Sequence, residues 1–156
     1  MDLFTQGCRR LLLTGIVAAT AGSAGFATRA TAAEIGQIKV SKGQVTVDRK
    51  GQALEGSIGL RLETADVVKT GADGSVGITM SDNSLLSAGP NSILALERFD
   101  FDPTTSQGRF DSQLQRGTLA VISGRIAKQS PQAMTVRTPS AALAVRGTEF
   151  VVSTHE

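Results

Sequence analysis

From residue 34 onward, apolar side chains return at every second position, and that period governs what the chain can fold into. Ile38-Lys39-Val40 and Val45-Thr46-Val47 alternate, Val76-Gly77-Ile78-Thr79-Met80 does so over five residues, and Leu119-Ala120-Val121 and Met134-Thr135-Val136 follow. Successive side chains of a strand point to opposite faces, so this spacing gathers the aliphatic groups on one side of a sheet. No stretch beyond residue 34 holds helical spacing for three turns. An all-β single domain with little helix is expected.

Turn residues punctuate the pattern, mostly about 7–16 residues apart, as they do between short strands. They are Lys42-Gly43, Lys50-Gly51, Gly71-Ala72-Asp73-Gly74, Asp82-Asn83, Gly89-Pro90-Asn91, Arg116-Gly117, Ser123-Gly124, Ser130-Pro131, Thr138-Pro139 and Arg146-Gly147. Two weak echoes run through the chain. Gly43-Gln44-Val45-Thr46-Val47, Gly74-Ser75-Val76-Gly77-Ile78 and Gly117-Thr118-Leu119-Ala120-Val121 share one pattern, and Asn83-Ser84-Leu85-Leu86 resembles Asn91-Ser92-Ile93-Leu94. Their intervals of 31, 43 and 8 residues define no single repeat length. They fit similar turns feeding similar strands, in a solenoid-like stack of β-coils or a sandwich-like body, but not a regular solenoid. The polar run Asp100–Gln107 reads as a mobile loop between two halves that share one core.

The first 32 residues have a different character. Arg9-Arg10 precede Leu11-Leu12-Leu13 and an Ala/Gly/Thr-rich stretch, which is the layout of a signal peptide. Ala30-Thr31-Ala32 places cleavage after Ala32, and Thr31-Ala32-Ala33 places it after Ala33. Leu11 to Ala27 is only 17 residues and rich in Ala and Gly, at the short limit for an uncleaved anchor in the inner membrane. The arginine pair is compatible with a twin-arginine route as well as the general one. A periplasmic β domain over residues 33–156 is expected, touching membrane only if the leader stays attached.

Removing the leader changes the charge. The chain's 16 basic and 14 acidic residues become 13 and 13 once Arg9, Arg10, Arg29 and Asp2 leave. A neutral domain without a basic patch is not built to hold nucleic acid. The single cysteine, Cys8, leaves too, so the exported part forms no internal disulfide. Its core has to be aliphatic, because Trp and Tyr are absent and only Phe99, Phe101, Phe110 and Phe150 remain. About two thirds of the unfolded surface can still be buried at this length.

Catalytic raw material is scarce. His155 is the only histidine and lies one residue from the end, where a fixed general base is not expected. With no second histidine and no exported cysteine, neither a nucleophilic site nor a structural zinc site can be assembled. Asp100, Asp102 and Asp111 lack the spacing and glycine of a calcium loop. Asp82-Asn83-Ser84 and Pro90-Asn91-Ser92 read as turns and not as a sugar site. Gly71-Ala72-Asp73-Gly74 lacks the lysine of a phosphate loop and leads into a strand. No cofactor and no metal are expected.

Several blocks together resemble the FecR periplasmic domain family. They are Gly43–Val47; Gly56 with Leu60 and Leu62; Asp66–Gly74; Asp82-Asn83-Ser84; Gly89-Pro90-Asn91-Ser92; Gly117–Val121; Val136-Arg137-Thr138-Pro139; and Val145-Arg146-Gly147-Thr148-Glu149-Phe150-Val151-Val152. The likeness spans residues 36–152. It implies an all-β extracytoplasmic module. In the full family architecture such a module sits between an inner-membrane sigma regulator and a small signalling domain, and relays the state of an outer-membrane siderophore transporter.

This chain departs from that plan. Only ten residues precede its apolar run, leaving no room there for an anti-sigma segment. It shows no second signalling domain, and it stops at Glu156 where relatives continue with further strands. The function expected is therefore non-catalytic protein interaction or sensing with envelope proteins. A structural or glycan-associated envelope module is the alternative, and a carboxylate-based hydrolase the third reading.

Thr138, Pro139, Arg146, Gly147 and Thr148 are candidates for partner contact or for bracing strand ends. Phe150, Val151 and Val152 are the candidate edge for β-addition, to a partner or to a second copy by strand pairing.

Overall fold

A computed structural model describes residues 33–144 and 148–154 of the chain. The leader, Val145, Arg146, Gly147, His155 and Glu156 lie outside the described residues.

Among the described residues, twelve strands carry the fold. They are β1 (Glu34–Lys42), β2 (Val45–Arg49), β3 (Gln52–Glu55), β4 (Arg61–Glu63), β5 (Val67–Thr70), β6 (Ser75–Met80), β7 (Leu85–Ala88), β8 (Ile93–Phe101), β9 (Gly108–Ile122), β10 (Met134–Arg137), β11 (Ala142–Ala144) and β12 (Glu149–Thr154). A five-residue helix α1 (Arg125–Gln129) and a 3₁₀ turn (Pro131–Ala133) join β9 to β10. No helix among the described residues is long and apolar enough to cross a membrane.

The strands form one curled sheet in the order β3-β2-β5-β8-β9-β7-β6-β1-β4, with β10 and β12 paired to β9 and β11 paired to β10. Every pairing is antiparallel except β10 with β9. The all-β expectation holds, and the sheet takes a half-barrel form. Ile38, Val47, Leu62, Leu94, Leu96, Phe110, Leu114, Leu119, Val121, Met134 and Val136 are fully buried in one core cluster. The core's aromatic corner is small: Phe99 meets Phe110 edge-on at 5.6 Å and Phe101 at 6.4 Å.

Strand β9 is the axis. Its first part pairs with β8 and β10, and its last part, from Gly117 on, with β7 and β12. Arg116-Gly117, expected to be a turn, lies inside this 15-residue strand. Gly117 has φ +94° and abuts Ser92, so a Cβ there would collide with the Ser92 hydroxyl. The glycine does supply an unusual backbone angle, but it bends a continuous strand from one half of the sheet into the other.

A second departure lies in β1. Alternation puts Ile38 and Val40 on one face, yet Ile38 is buried and Val40 is 47% exposed. The pairing with β6 shifts between these residues, and the extra residue of that bulge turns Val40 outward.

The Asn-Ser echo has a structural basis. Asn83 and Asn91 both take positive φ (66° and 51°), and each is followed by a buried serine and a strand that pairs with β9. Ser84 Oγ accepts from the Gly124 amide at 2.9 Å, and Ser92 Oγ from the Thr118 amide at 3.1 Å. The two serines pin the starts of β7 and β8, Ser84 to Gly124 just past the end of β9 and Ser92 to Thr118 within it. Lys50 and Gly51 both have positive φ, which makes the two-residue hairpin between β2 and β3. Asp100–Gln107, expected to be a mobile loop between halves, includes the end of β8 and the tip of the β8–β9 hairpin. Asp102 fastens that tip, its carboxylate accepting from the Thr104 amide and the Thr105 hydroxyl.

Candidate interaction surface

Among the described residues, the sequence-derived candidates lie around β12. This strand pairs with β9 through Glu149↔Ile122, Val151↔Ala120 and Thr154↔Gly117, and among the described residues nothing pairs with its other side. The Ser123 amide donates to the Thr148 carbonyl in the same register at 2.8 Å. Hydrogen-bonded pairs alternate in an antiparallel ladder, so Phe150 and Val152 bond to β9 while the backbone groups of Val151 turn away from it. The side chains alternate also: Val152 is buried, Phe150 half-buried, and Val151 63% exposed.

Thr138 and Pro139 begin the tip of the β10–β11 hairpin. Thr138 is locked there, its amide donating to the Ala141 carbonyl at 2.7 Å and its hydroxyl accepting from the Ala141 amide at 3.0 Å. The tip flanks a groove of about 390 Å³ lined also by Gln115, Leu143 and Val152–Thr154. The structure thus brings Thr138, Pro139 and Val152 together. Thr148 sits just before β12, and Arg146 and Gly147 lie outside the described residues.

The outer face of the sheet next to β12 was not legible as a site in the sequence. Strand registers align Val40, Gly77, Ser87, Ala120 and Val151 in one row across five strands. A second row runs Gln37, Thr79, Leu85, Ile122 and Glu149. Small residues in the middle of the first row, beside Leu85 and Ile122, leave an apolar trough of about 270 Å³ whose charged lining residues are Lys39 and Glu149. Of the six large hydrophobic side chains exposed among the described residues, Val40, Leu85, Ile122 and Val151 lie on this face, and Leu143 lines the neighbouring groove. Such clustering marks an interaction surface far better than scattered exposure does. Each strand contributes only one or two of these residues, so register alone assembles them.

Most of the described carboxylates are engaged elsewhere. Arg49 donates to Asp66 through Nε (2.9 Å) and Nη2 (2.7 Å), and through Nη1 to Glu63 (2.9 Å). The hydrogen-bonded Asp66 carboxylate raises the Arg49 guanidinium above its ordinary value, against the opposite pull of burial. Asp111 holds Arg109 at 2.7 Å and raises it likewise. Asp100 pairs with Arg98, Asp48 with Lys69 and Glu97 with Arg137. Asp100, Asp102 and Asp111 therefore serve three separate partners and do not converge as calcium ligands would. Buried Asp82 accepts from the Ser84 amide (3.0 Å) and hydroxyl (2.7 Å) and ties the β6–β7 turn to the start of α1, where its carbonyl takes the Arg125 amide.

One aliphatic core inside one curled antiparallel sheet, with its single long strand shared between two halves, defines the class: an all-β module. The family model for the FecR protein matches residues 66–156, from β5 to the end of the chain. The chain belongs to the FecR family. No curated protein and no solved structure matches it. Strands β1 to β4 precede the matched region yet belong to the same sheet, through β1–β6, β2–β5 and the Arg49–Asp66 pair.

Proposed function

We propose that this FecR-family chain is a periplasmic, non-catalytic protein-binding module that senses or relays the state of another envelope protein. The observation that carries this is a contiguous apolar outer face, formed by Val40, Leu85, Ile122 and Val151, beside a strand that pairs on one side only among the described residues. Main-chain groups on such an edge supply affinity and the adjoining side chains supply selectivity. The leader-like first 32 residues support export, with cleavage after Ala32 or Ala33. Ion-paired carboxylates favour binding over a hydrolase, and the absence of Trp and Tyr disfavours a glycan platform.

A photo-reactive residue at Leu85 or Thr138, activated in growing cells, tests this. The expected result is a periplasmic protein of processed mass with an adduct to a different envelope protein. Full-length protein in the cytosol, or activation that yields no adduct at either position, contradicts it.

A further inference from the structure

The apolar trough on the outer face has two unlike ends. It crosses β1, β6, β7, β9 and β12, with Lys39 at the β1 end and Glu149 at the β12 end. No lining residue between them carries a charge. Among the described residues, neither Lys39 nor Glu149 belongs to an ion pair. The outward charges of the other half of the sheet are paired: Lys69 with Asp48, Arg98 with Asp100, Arg109 with Asp111 and Arg137 with Glu97.

We infer that this trough seats an amphipathic helix of a partner protein, laid across the strands with an acidic side chain at Lys39 and a basic one at Glu149. This rests on the reading of the outer face as a binding surface and names the kind of partner it takes. The spacings match. Neighbouring strands lie about 4.8 Å apart and successive turns of a helix about 5.4 Å apart, so a helix crossing them sets one apolar side chain per turn over Gly77, Ser87 and Ala120. These small residues leave room for such side chains, and Leu85 and Ile122 stand beside them. From β1 to β12 is four strand spacings, about 19 Å, which a helix covers in about 13 residues.

Two features of the site select a helix. The amides and carbonyls of β6 and β7 are directed to neighbouring strands, so an extended segment lying on this face would find no ladder to join. A helix satisfies its own backbone groups and needs only side-chain contact. The opposite charges at the two ends then separate a helix from a lipid. An anionic amphiphile answers Lys39 and sets its acyl chain against Glu149, whereas a segment carrying one charge of each sign answers both.

The test measures binding of the full chain to three fluorescently labelled amphipathic peptides by anisotropy. Each has the same apolar stripe and two charged positions about 13 residues apart. One peptide carries Glu and Lys at these positions, one Glu at both and one Lys at both. The mixed peptide should bind about two- to fivefold more tightly than either of the others, the effect of a single exposed charge. Glu149→Lys should transfer the preference to the Glu/Glu peptide, and Lys39→Glu to the Lys/Lys peptide, with melting midpoints unaltered. Ser87→Phe, which fills the floor of the trough, should abolish binding of all three. Absence of binding by every peptide, the same order of affinities in the parent and both charge variants, or undiminished binding of a mixed peptide with a central proline overturns the inference. So does capture by phosphatidylglycerol vesicles that the mixed peptide cannot compete away. A Leu85 adduct in cells from a chain that binds none of the peptides sinks the helix and leaves the binding module standing. Binding in the expected order without that adduct supports the helix and counts against the envelope role.

Discussion

Arg49 and Asp66, seventeen residues apart in sequence, meet as a two-point fork in which Nε and Nη2 of the guanidinium reach both carboxylate oxygens. Asp66 is 1% exposed and also accepts from the Glu63 amide at 2.9 Å, so the pair binds the end of β2 to the β4–β5 turn. Removing the arginine strands a buried carboxylate. Arg49→Ala should lower unfolding free energy by about 2–4 kcal/mol, whereas replacing both partners with apolar residues should recover part of that loss. Urea denaturation of the single and double variants measures it. Equal loss in both would show that packing, and not the lone charge, sets the effect.

Gly117 offers a second handle. At φ +94°, with Ser92 against its Cα, an added methyl meets both backbone strain and a clash. Gly117→Ala should destabilise the domain by about 2–4 kcal/mol. A midpoint of denaturation unchanged from the parent would mean that β9 does not bend at this residue.

Asp82 anchors the β6–β7 turn from within. Asp82→Ala removes the acceptor for Ser84 and weakens the tie to α1, at about 2 kcal/mol. Asp82→Asn retains a side-chain oxygen and should lose less. Thermal melts in which alanine and asparagine behave alike would assign the effect to something other than these hydrogen bonds.

At the β8–β9 tip, the Thr104 amide and then the Thr105 hydroxyl hold the Asp102 carboxyl below the ordinary aspartate value. A carboxyl lowered on folding holds its contribution above the unfolded value and loses it as pH falls through the folded one. The Thr104 amide resonance should therefore stay constant down to the usual aspartate range and shift only below it, and Asp102→Asn should abolish that shift. A transition at or above the ordinary value would show the tip unfastened.

Local periodicity carried the class of fold, since most strands put their aliphatic residues on the core side where alternation placed them. The departures come from features that a two-residue period cannot encode. The bulge in β1 reverses Val40, and Gly117 bends a strand where glycine normally signals a turn. The strand β12 was legible because Phe150-Val151-Val152 is a compact run of β-favouring apolar residues. The outer face was not, because Gly77, Ser87 and Ala120 look like inert spacers until register lines them up between Val40 and Val151. The Arg49–Asp66 fork was hidden for the same reason, its partners belonging to a strand and a turn brought together only by the sheet.

Residue-resolved amide exchange across Phe150, Val151 and Val152 tests the β12 edge most directly. It is followed in isotopically labelled protein. Phe150 and Val152, whose amides bond to β9, should be protected, and Val151, whose amide turns away from β9, should exchange much faster. Val151 protected as strongly as its neighbours would contradict the account.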